Sequence, residues 1–225
     1  MTAGQRRVVV AQDKDSRQQV HVRRIKALAL AGALVGWSFT AGIEQPWRRH
    51  PLARAALGTA MAVAARAPLG LRPPQLWSGL RLGAAVAGAV AAGVSVTAAL
   101  PRVRTAMADR ELPGGSLRWL AVEIPLGTVW SEETAFRAAM GTLAADAFGP
   151  SGGRLVQATA FGLSHIPDAC GANDPILGTV LVTGAAGWVF GWLAEHSGSL
   201  LAPILAHLAI NEAGAVAALA VQRRR

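Results

Sequence analysis

The 225-residue chain has one cysteine, Cys170, no tyrosine, and charged side chains on only 16% of its residues. A single cysteine excludes an internal disulfide framework and a zinc cluster built on cysteines. Soluble domains carry about 25% charged residues, so the scarcity of charge argues against an ordinary soluble globular domain. The hydrophobic share of 52% argues the same way. The composition therefore predicts a membrane protein.

The charges that are present are mostly positive, with 22 Lys and Arg against 13 Asp and Glu and a formal net charge of +9. Cations grouped on one face would indicate a nucleic-acid surface. Here they flank apolar runs instead, which is typical of membrane topology, and all but two lie in 1–26, 44–81, 101–118 and 223–225. We therefore expect a lipid bilayer as partner and no nucleic acid. Arginine outnumbers lysine 20 to 2, and with the abundant Ala and Gly this favours a GC-rich bacterial genome and a bacterial plasma membrane.

Several apolar stretches are long enough to cross a bilayer core, namely 27–43, 82–100, 119–148, 175–194 and 200–222. Shorter apolar stretches lie at 52–71, where Arg54 and Arg66 interrupt the run, and at 155–166. A polar loop is predicted at 101–118 and a break at 149–153, which reads Gly-Pro-Ser-Gly-Gly. The predicted fold class is all-α, a polytopic transmembrane bundle of about six to eight helices. The basic segments at both ends favour the cytoplasm, which would require an even number of crossings.

Some polar side chains fall inside the predicted helices of the second half of the chain. An ionisable group at the centre of a membrane helix costs roughly 2.5–3.5 kcal/mol on insertion scales, so a chain that keeps several of them usually needs them. The candidates are Glu123, Glu132, Glu133, Arg137, Asp146, His165, His207, Asn211 and Glu212.

The first cluster of these residues follows Trp130. On a helix, Glu133 and Arg137 are four residues apart with the acid first, the favourable order for an ion pair. Glu132 lies about 100° around the helix and has no obvious local partner, which makes it a candidate general base. Ser131 is the predicted N-cap of the helix. The structural alternative is an amphipathic helix start that one salt bridge stabilises.

Two further pairs have the same four-residue spacing, Phe161 with His165 and His207 with Asn211. A single His in a membrane helix is more often a packing residue than a catalyst. His207 and Asn211 present hydrogen-bond donors on one face, although such groups also hold membrane helices together. With Glu132, these groups are suited to activating a water and stabilising an oxyanion. They are equally suited to a two-His, one-carboxylate metal site at Glu132, His165 and His207.

The three motifs resemble those of the CPBP family, the CAAX proteases and bacteriocin-processing enzymes that are also called the Abi family. The patterns are EExxxR at 132–137, FxxxH at 161–165 and HxxxN at 207–211. Their order and spacing are similar to the family's, with about 28 residues between the first two motifs and about 42 between the second and third. The resemblance covers roughly 117–221 and implies an intramembrane endopeptidase similar to the type II CAAX prenyl endopeptidases.

The resemblance also implies a role for each motif residue. Glu132 would activate the hydrolytic water, and His165 would help to position it. His207 and Asn211 would form the oxyanion hole. The other motif residues would support these four, namely Glu133, Arg137 and Phe161.

Two mechanisms and two cofactor states stay open at this point. One is a metalloprotease that holds a divalent metal such as zinc on Glu132, His165 and His207, and the other is a glutamate-dependent enzyme without metal. The expected substrate is a peptide or a membrane protein, since a bacterial host offers few prenylated proteins. The alternatives to an enzyme are a non-catalytic immunity or scaffold protein of the same fold and a transporter whose charges line a path.

The predicted organisation has three sequential parts. A basic cytoplasmic tail occupies 1–26, and N-terminal transmembrane helices occupy 27–111. A CPBP-like catalytic transmembrane bundle occupies 112–225.

Overall fold

The computed structural model describes residues 3–40 and 50–224, with side chains from residue 17 onward in the first helix. Four helices come first, α1 (Ala3–Phe39), α2 (Pro51–Ala64), α3 (Gln75–Thr97) and α4 (Pro101–Asp109). A long continuous helix then comprises α5 (Ser116–Arg118), two π-helical segments, π1 (Trp119–Trp130) and π2 (Glu133–Met140), and α6 (Gly141–Ser164). The remaining helices are α7 (Ile166–Ala172), α8 (Ile176–Ser197) and α9 (Leu201–Gln222).

The predicted all-α fold of about six to eight helices is confirmed. Within the described ranges there is no strand, and there are seven helices if α5 to α6 count as one and the short α7 is left aside. Three of them, α3, α8 and α9, are long and apolar enough to cross a membrane. These three coincide with the predicted spans at 82–100, 175–194 and 200–222, and the chain is a multi-pass membrane protein.

The N-terminal region differs from its predicted outline. The basic segment and the first predicted span are parts of one 37-residue helix, α1, while residues 41–43 of that span lie outside the described residues. The loop predicted at 101–118 is wrong in its first half, because Pro101 begins α4 and proline is well suited to the first turn of a helix. The cytoplasmic location of 1–26 and the sequential division at 27–111 and 112–225 stay predictions.

The chain divides into two compact units, Met1–Thr40 with Met140–Gly187, and Ala41–Ala139 with Trp188–Arg225. In the first unit, α1 packs against α6 through a small-residue core of Ala27, Ala144 and Ala147. The break predicted at 149–153 is confirmed as a kink inside α6. Gly149 has a positive φ of 74°, which favours glycine, and Pro150 follows it.

In the second unit, α3 packs closely along the start of α9. A Cβ added at Gly79 would lie 2.6 Å from the Ser199 side chain, and one at Gly83 would lie 2.9 Å from the Ala202 backbone. Small residues at these crossings let the helix backbones approach, as is usual between membrane helices. The core between π1 and α9 is formed by Ile124, Val129 and Ala215.

The helix that carries the first motif is wound more loosely than an α-helix. Its π-helical segments cover 12 and 8 residues, whereas most π-helices are single turns, frequently at functional sites. Ser131 lies inside this continuous helix, where its Oγ donates a 2.6 Å hydrogen bond to the carbonyl of Gly127. The N-cap predicted at Ser131 is therefore wrong, because no helix begins there.

Candidate active site

Glu133 lies at the centre of a buried charged cluster in the second unit. Its side chain has no exposed area, and its Oε2 lies 3.2 Å from Nε of Arg137, so the predicted ion pair is confirmed. Its Oε1 lies 2.7 Å from Nδ1 of His207, which comes from α9. The sequence motifs did not predict this second contact. One buried carboxylate thus contacts a cation on its own helix and an imidazole on another.

The contact with Glu133 orients the His207 ring. An ionised carboxylate only accepts hydrogen bonds, so Nδ1 carries a hydrogen atom and donates the hydrogen bond to Oε1 of Glu133. Nε2 consequently lies on the opposite edge of the ring, 3.9 Å from Oε2 of Glu132. A carboxylate behind a histidine also fixes the tautomer and orientation of the ring in Ser-His-Asp triads.

An aromatic ring of α8 packs against this cluster. Phe190 is 3% exposed and stacks on His207, with 5.0 Å between the ring centroids and 27° between the planes. The guanidinium of Arg137 lies 5.0 Å from the same Phe190 ring. Phe190 lies outside the three motifs and was not predicted, because an aromatic residue in an apolar helix has no pattern that distinguishes it from other core residues.

Glu132 lies on the more open side of the cluster. Its side chain is 20% exposed, and its Oε2 is buried without a hydrogen-bond partner among the described residues. Its Oε1 lies 4.0 Å from Nη2 of Arg54 in α2. Glu132 was expected to have no partner on its own helix. The cation that approaches it, Arg54, lies 78 positions earlier in the sequence and on another helix. Arg54 had been predicted only as an interruption of an apolar stretch.

Asn211 lies one turn beyond His207 on α9. Its Nδ2 donates a 3.1 Å hydrogen bond to the backbone carbonyl of His207. An amide nitrogen carries two hydrogens, so this bond leaves one donor for another acceptor. The predicted part of Asn211 in an oxyanion hole stays a prediction.

His165 and Phe161 belong to the first unit. His165 follows the last residue of α6, and its Nδ1 donates a 2.8 Å hydrogen bond to the carbonyl of Phe161. The Phe161 ring, 2% exposed, meets the His165 ring edge to face at 4.6 Å. These contacts fix the His165 ring on its own helix. Its predicted cooperation with the residues of the second unit stays a prediction.

The predicted metal set is incomplete in the second unit. Catalytic zinc sites use three protein ligands, whereas Glu132 and His207 supply two. Among the side chains that the structure describes, in 17–40 and 50–224, no group of three His, Cys, Asp or Glu could hold a metal ion. The metal set predicted at Glu132, His165 and His207 stays a prediction.

A comparison with protein families is consistent with the motifs. Residues 114–213 match the family model Rce1-like, described as type II CAAX prenyl endopeptidase Rce1-like. The matched residues include all three motifs, and they exclude α2 with Arg54 and the whole of α3. No curated protein and no solved structure matches the chain.

Proposed function

We propose that the chain is an integral-membrane endopeptidase that hydrolyses a peptide bond at or within the membrane, because residues 114–213 match the Rce1-like family model. The observation that supports this proposal best is the contact of His207 with two neighbouring carboxylates. Glu133 binds one edge of the ring at 2.7 Å, and Glu132 lies 3.9 Å from the other edge. A buried carboxylate orients the histidine, and the second carboxylate is 20% exposed and therefore accessible to water.

In the proposed reaction, Glu132 acts as the general base. Its carboxylate takes a proton from a water molecule while the water oxygen attacks the carbonyl carbon of the scissile peptide bond. The buried Oε2, which has no hydrogen-bond partner among the described residues, suits this task. When the tetrahedral intermediate collapses, the C–N bond breaks and Glu132 returns the proton to the leaving amine.

His207 and Asn211 stabilise the negative charge on the carbonyl oxygen. Because Nδ1 of His207 already donates to Glu133, donation from Nε2 requires the ring to be an imidazolium before the water attacks, and it keeps both protons when the intermediate collapses. The second N–H of the Asn211 amide is the other donor. Removing a single oxyanion donor costs about 10²–10³ in kcat in a well-studied protease, which sets the scale for these two residues.

The remaining motif residues have supporting parts. Glu133 and Arg137 form the buried pair that holds His207, while His165 positions the attacking water and Phe161 holds the His165 ring. The mechanism we favour depends on glutamate alone, since the described His, Cys, Asp and Glu side chains form no group of three that could hold a metal ion. The proposed substrate is a peptide or membrane protein in a bacterial plasma membrane.

The test is cleavage of a membrane-tethered reporter peptide by the purified protein in proteoliposomes. We expect turnover by the wild type, no measurable turnover by Glu132→Gln, and full turnover by Glu123→Gln. Glu123 is the matched control, because it is a carboxylate of the same continuous helix that pairs with Arg118 at 3.2 Å outside the cluster.

Three outcomes of this test contradict the proposal. Equal turnover by the wild type and Glu132→Gln would remove the catalytic role of Glu132. An inactive wild type would favour the scaffold protein. Movement of a solute across the proteoliposome membrane without peptide cleavage would favour the transporter.

A further inference from the structure

The cation beside Glu132 comes from outside the segment that matches the Rce1-like family. Arg54 lies in α2, and its Nη2 is 4.0 Å from Oε1 of Glu132. Its side chain is 40% exposed and that of Glu132 is 20% exposed, so the pair lies at the open edge of the cluster. None of the three motifs accounts for this contact.

The position of Arg54 is fixed by close packing on both sides of it along α2. On the N-terminal side, Pro51 contacts Gly127, where an added Cβ would lie 3.1 Å from the Pro51 Cβ. On the C-terminal side, a Cβ at Gly58 would lie 2.7 Å from the carbonyl oxygen of Ser131 and would overlap Thr134 Oγ1. The register between α2 and the Glu132 helix is therefore tightly constrained on either side of the pair.

A hydrogen bond strengthens this register. Nε1 of Trp130 donates to Oγ1 of Thr59 at 2.9 Å, and Thr59 Oγ1 in turn donates to the carbonyl of Ala55 at 2.7 Å. Thr59 follows Gly58, and Trp130 precedes Ser131, so the bond lies beside the closest backbone approach. The close packing of α2 on the Glu132 helix thus places the guanidinium of Arg54 beside Glu132.

The charges around His207 then form a balanced arrangement. Each of the two neighbouring carboxylates has its own guanidinium, Arg137 for Glu133 and Arg54 for Glu132. The two pairs differ in burial, because the Glu133 pair is fully enclosed and the Glu132 pair is partly open to solvent. The loose, partly exposed pair leaves Glu132 free to exchange a proton, whereas a tight bidentate pair would occupy its lone pairs.

We propose that Arg54 is a positioning residue for Glu132, which it holds by charge attraction in the orientation that faces His207 and the attacking water. This inference rests on the proposed endopeptidase function. It adds to that function a residue of the N-terminal helices that acts through Glu132. Because the pair is partly exposed and screened by solvent, its contribution corresponds to about a fivefold change in rate.

The experiment measures kcat and KM on the reporter peptide for the full chain and its variants. We expect Arg54→Gln to lower kcat about fivefold at unchanged KM and Arg54→Lys to stay within about twofold of the wild type. Arg81→Gln is the matched control, since Arg81 is an exposed arginine of α3 that bonds the Trp77 carbonyl of its own helix. We expect Arg81→Gln to match the wild type.

A second pair of variants tests whether Arg54 acts through Glu132. In a Glu132→Asp background the shorter carboxylate is withdrawn from Arg54, so Arg54→Gln should cost less than about twofold there. An equal loss in both backgrounds would mean that Arg54 acts independently of Glu132 and would overturn the inference.

The outcomes separate this inference from the function on which it rests. An active wild type with an inactive Glu132→Gln and an unchanged Arg54→Gln overturns the positioning role alone. A rise in KM at unchanged kcat also overturns it, because Arg54 would then contact the substrate. An inactive wild type overturns both the function and the inference.

Discussion

The two carboxylates on either side of the His207 ring differ in their burial and in the distances to their charged partners. On the Glu133 side, the carboxylate is wholly buried and contacts Arg137 at 3.2 Å and His207 at 2.7 Å. On the Glu132 side, the carboxylate is 20% exposed and both of its polar contacts are near 4 Å. The two adjacent carboxylates are therefore suited to different tasks. Glu132 is suited to exchange protons as a base, and Glu133 is suited to orient His207.

The largest expected effect is on activity and comes from the open side. Glu132→Gln removes the proposed general base, a change that typically costs about 10²–10⁴ in rate. We expect thermal unfolding to be close to that of the wild type, because the replaced side chain makes only long contacts. The measurement pairs reporter turnover with the unfolding midpoint in the same detergent. A large drop in the midpoint would place Glu132 on the structural side of the comparison.

The next effect is on stability and comes from the buried side. Glu133→Gln leaves the buried Arg137 without its partner carboxylate, and breaking a buried pair in this way costs about 3–5 kcal/mol in the free energy of unfolding. The matched variant is Glu133→Gln with Arg137→Met, in which no buried charge remains. Thermal unfolding should show a marked loss for the single variant and a partial recovery for the double one. Equal midpoints for the wild type and the single variant would contradict the contrast between the two sides.

A smaller effect is expected at the aromatic ring between Arg137 and His207. Phe190→Leu removes a stacking contact and a cation–π contact, which together are worth about 1–2 kcal/mol at a buried site. The control is Phe148→Leu, which removes the ring that Arg24 faces at 5.7 Å in the first unit. We expect both variants to lose stability and only Phe190→Leu to lose activity. Similar activity losses in both would show that Phe190 has no special relation to the site.

The smallest expected effect is that of metal removal. Because the described side chains form no group of three that could hold a metal ion, we expect turnover after treatment with a chelator to stay within about twofold of the untreated protein. The measurement is reporter cleavage with the metal content of the same samples determined by mass spectrometry. A larger loss that zinc reverses would favour the metalloprotease over the glutamate-dependent mechanism.

The sequence was most informative where contacts are local. The ion pair of Glu133 with Arg137 follows from a four-residue spacing within one helix and is present in the structure. The helical class and the spans of α3, α8 and α9 follow equally well from apolar runs between charges. Periodicity and length determine such features, so the sequence alone was enough to predict them.

Contacts between helices were beyond the reach of sequence patterns. Arg54 interrupts an apolar run, and its approach to Glu132 depends on how α2 packs against a helix that begins 62 residues after Arg54. Ser131 had the composition of a helix start, yet the backbone continues through it with π-helical segments on either side. The hydropathy of the sequence does not distinguish π-helical from α-helical backbone hydrogen bonding.

The close packing of Gly58 against Ser131 has a consequence for any fragment that contains only the family-matched residues. A fragment that begins near the family-matched residues would keep every motif and lose α2, which packs against the helix that carries Glu132. The groove that now receives Gly58 would open to lipid, and the cation beside Glu132 would be gone. The family-matched residues therefore pack against a helix that lies outside the match, and a fragment limited to them would expose the surface that Gly58 now covers.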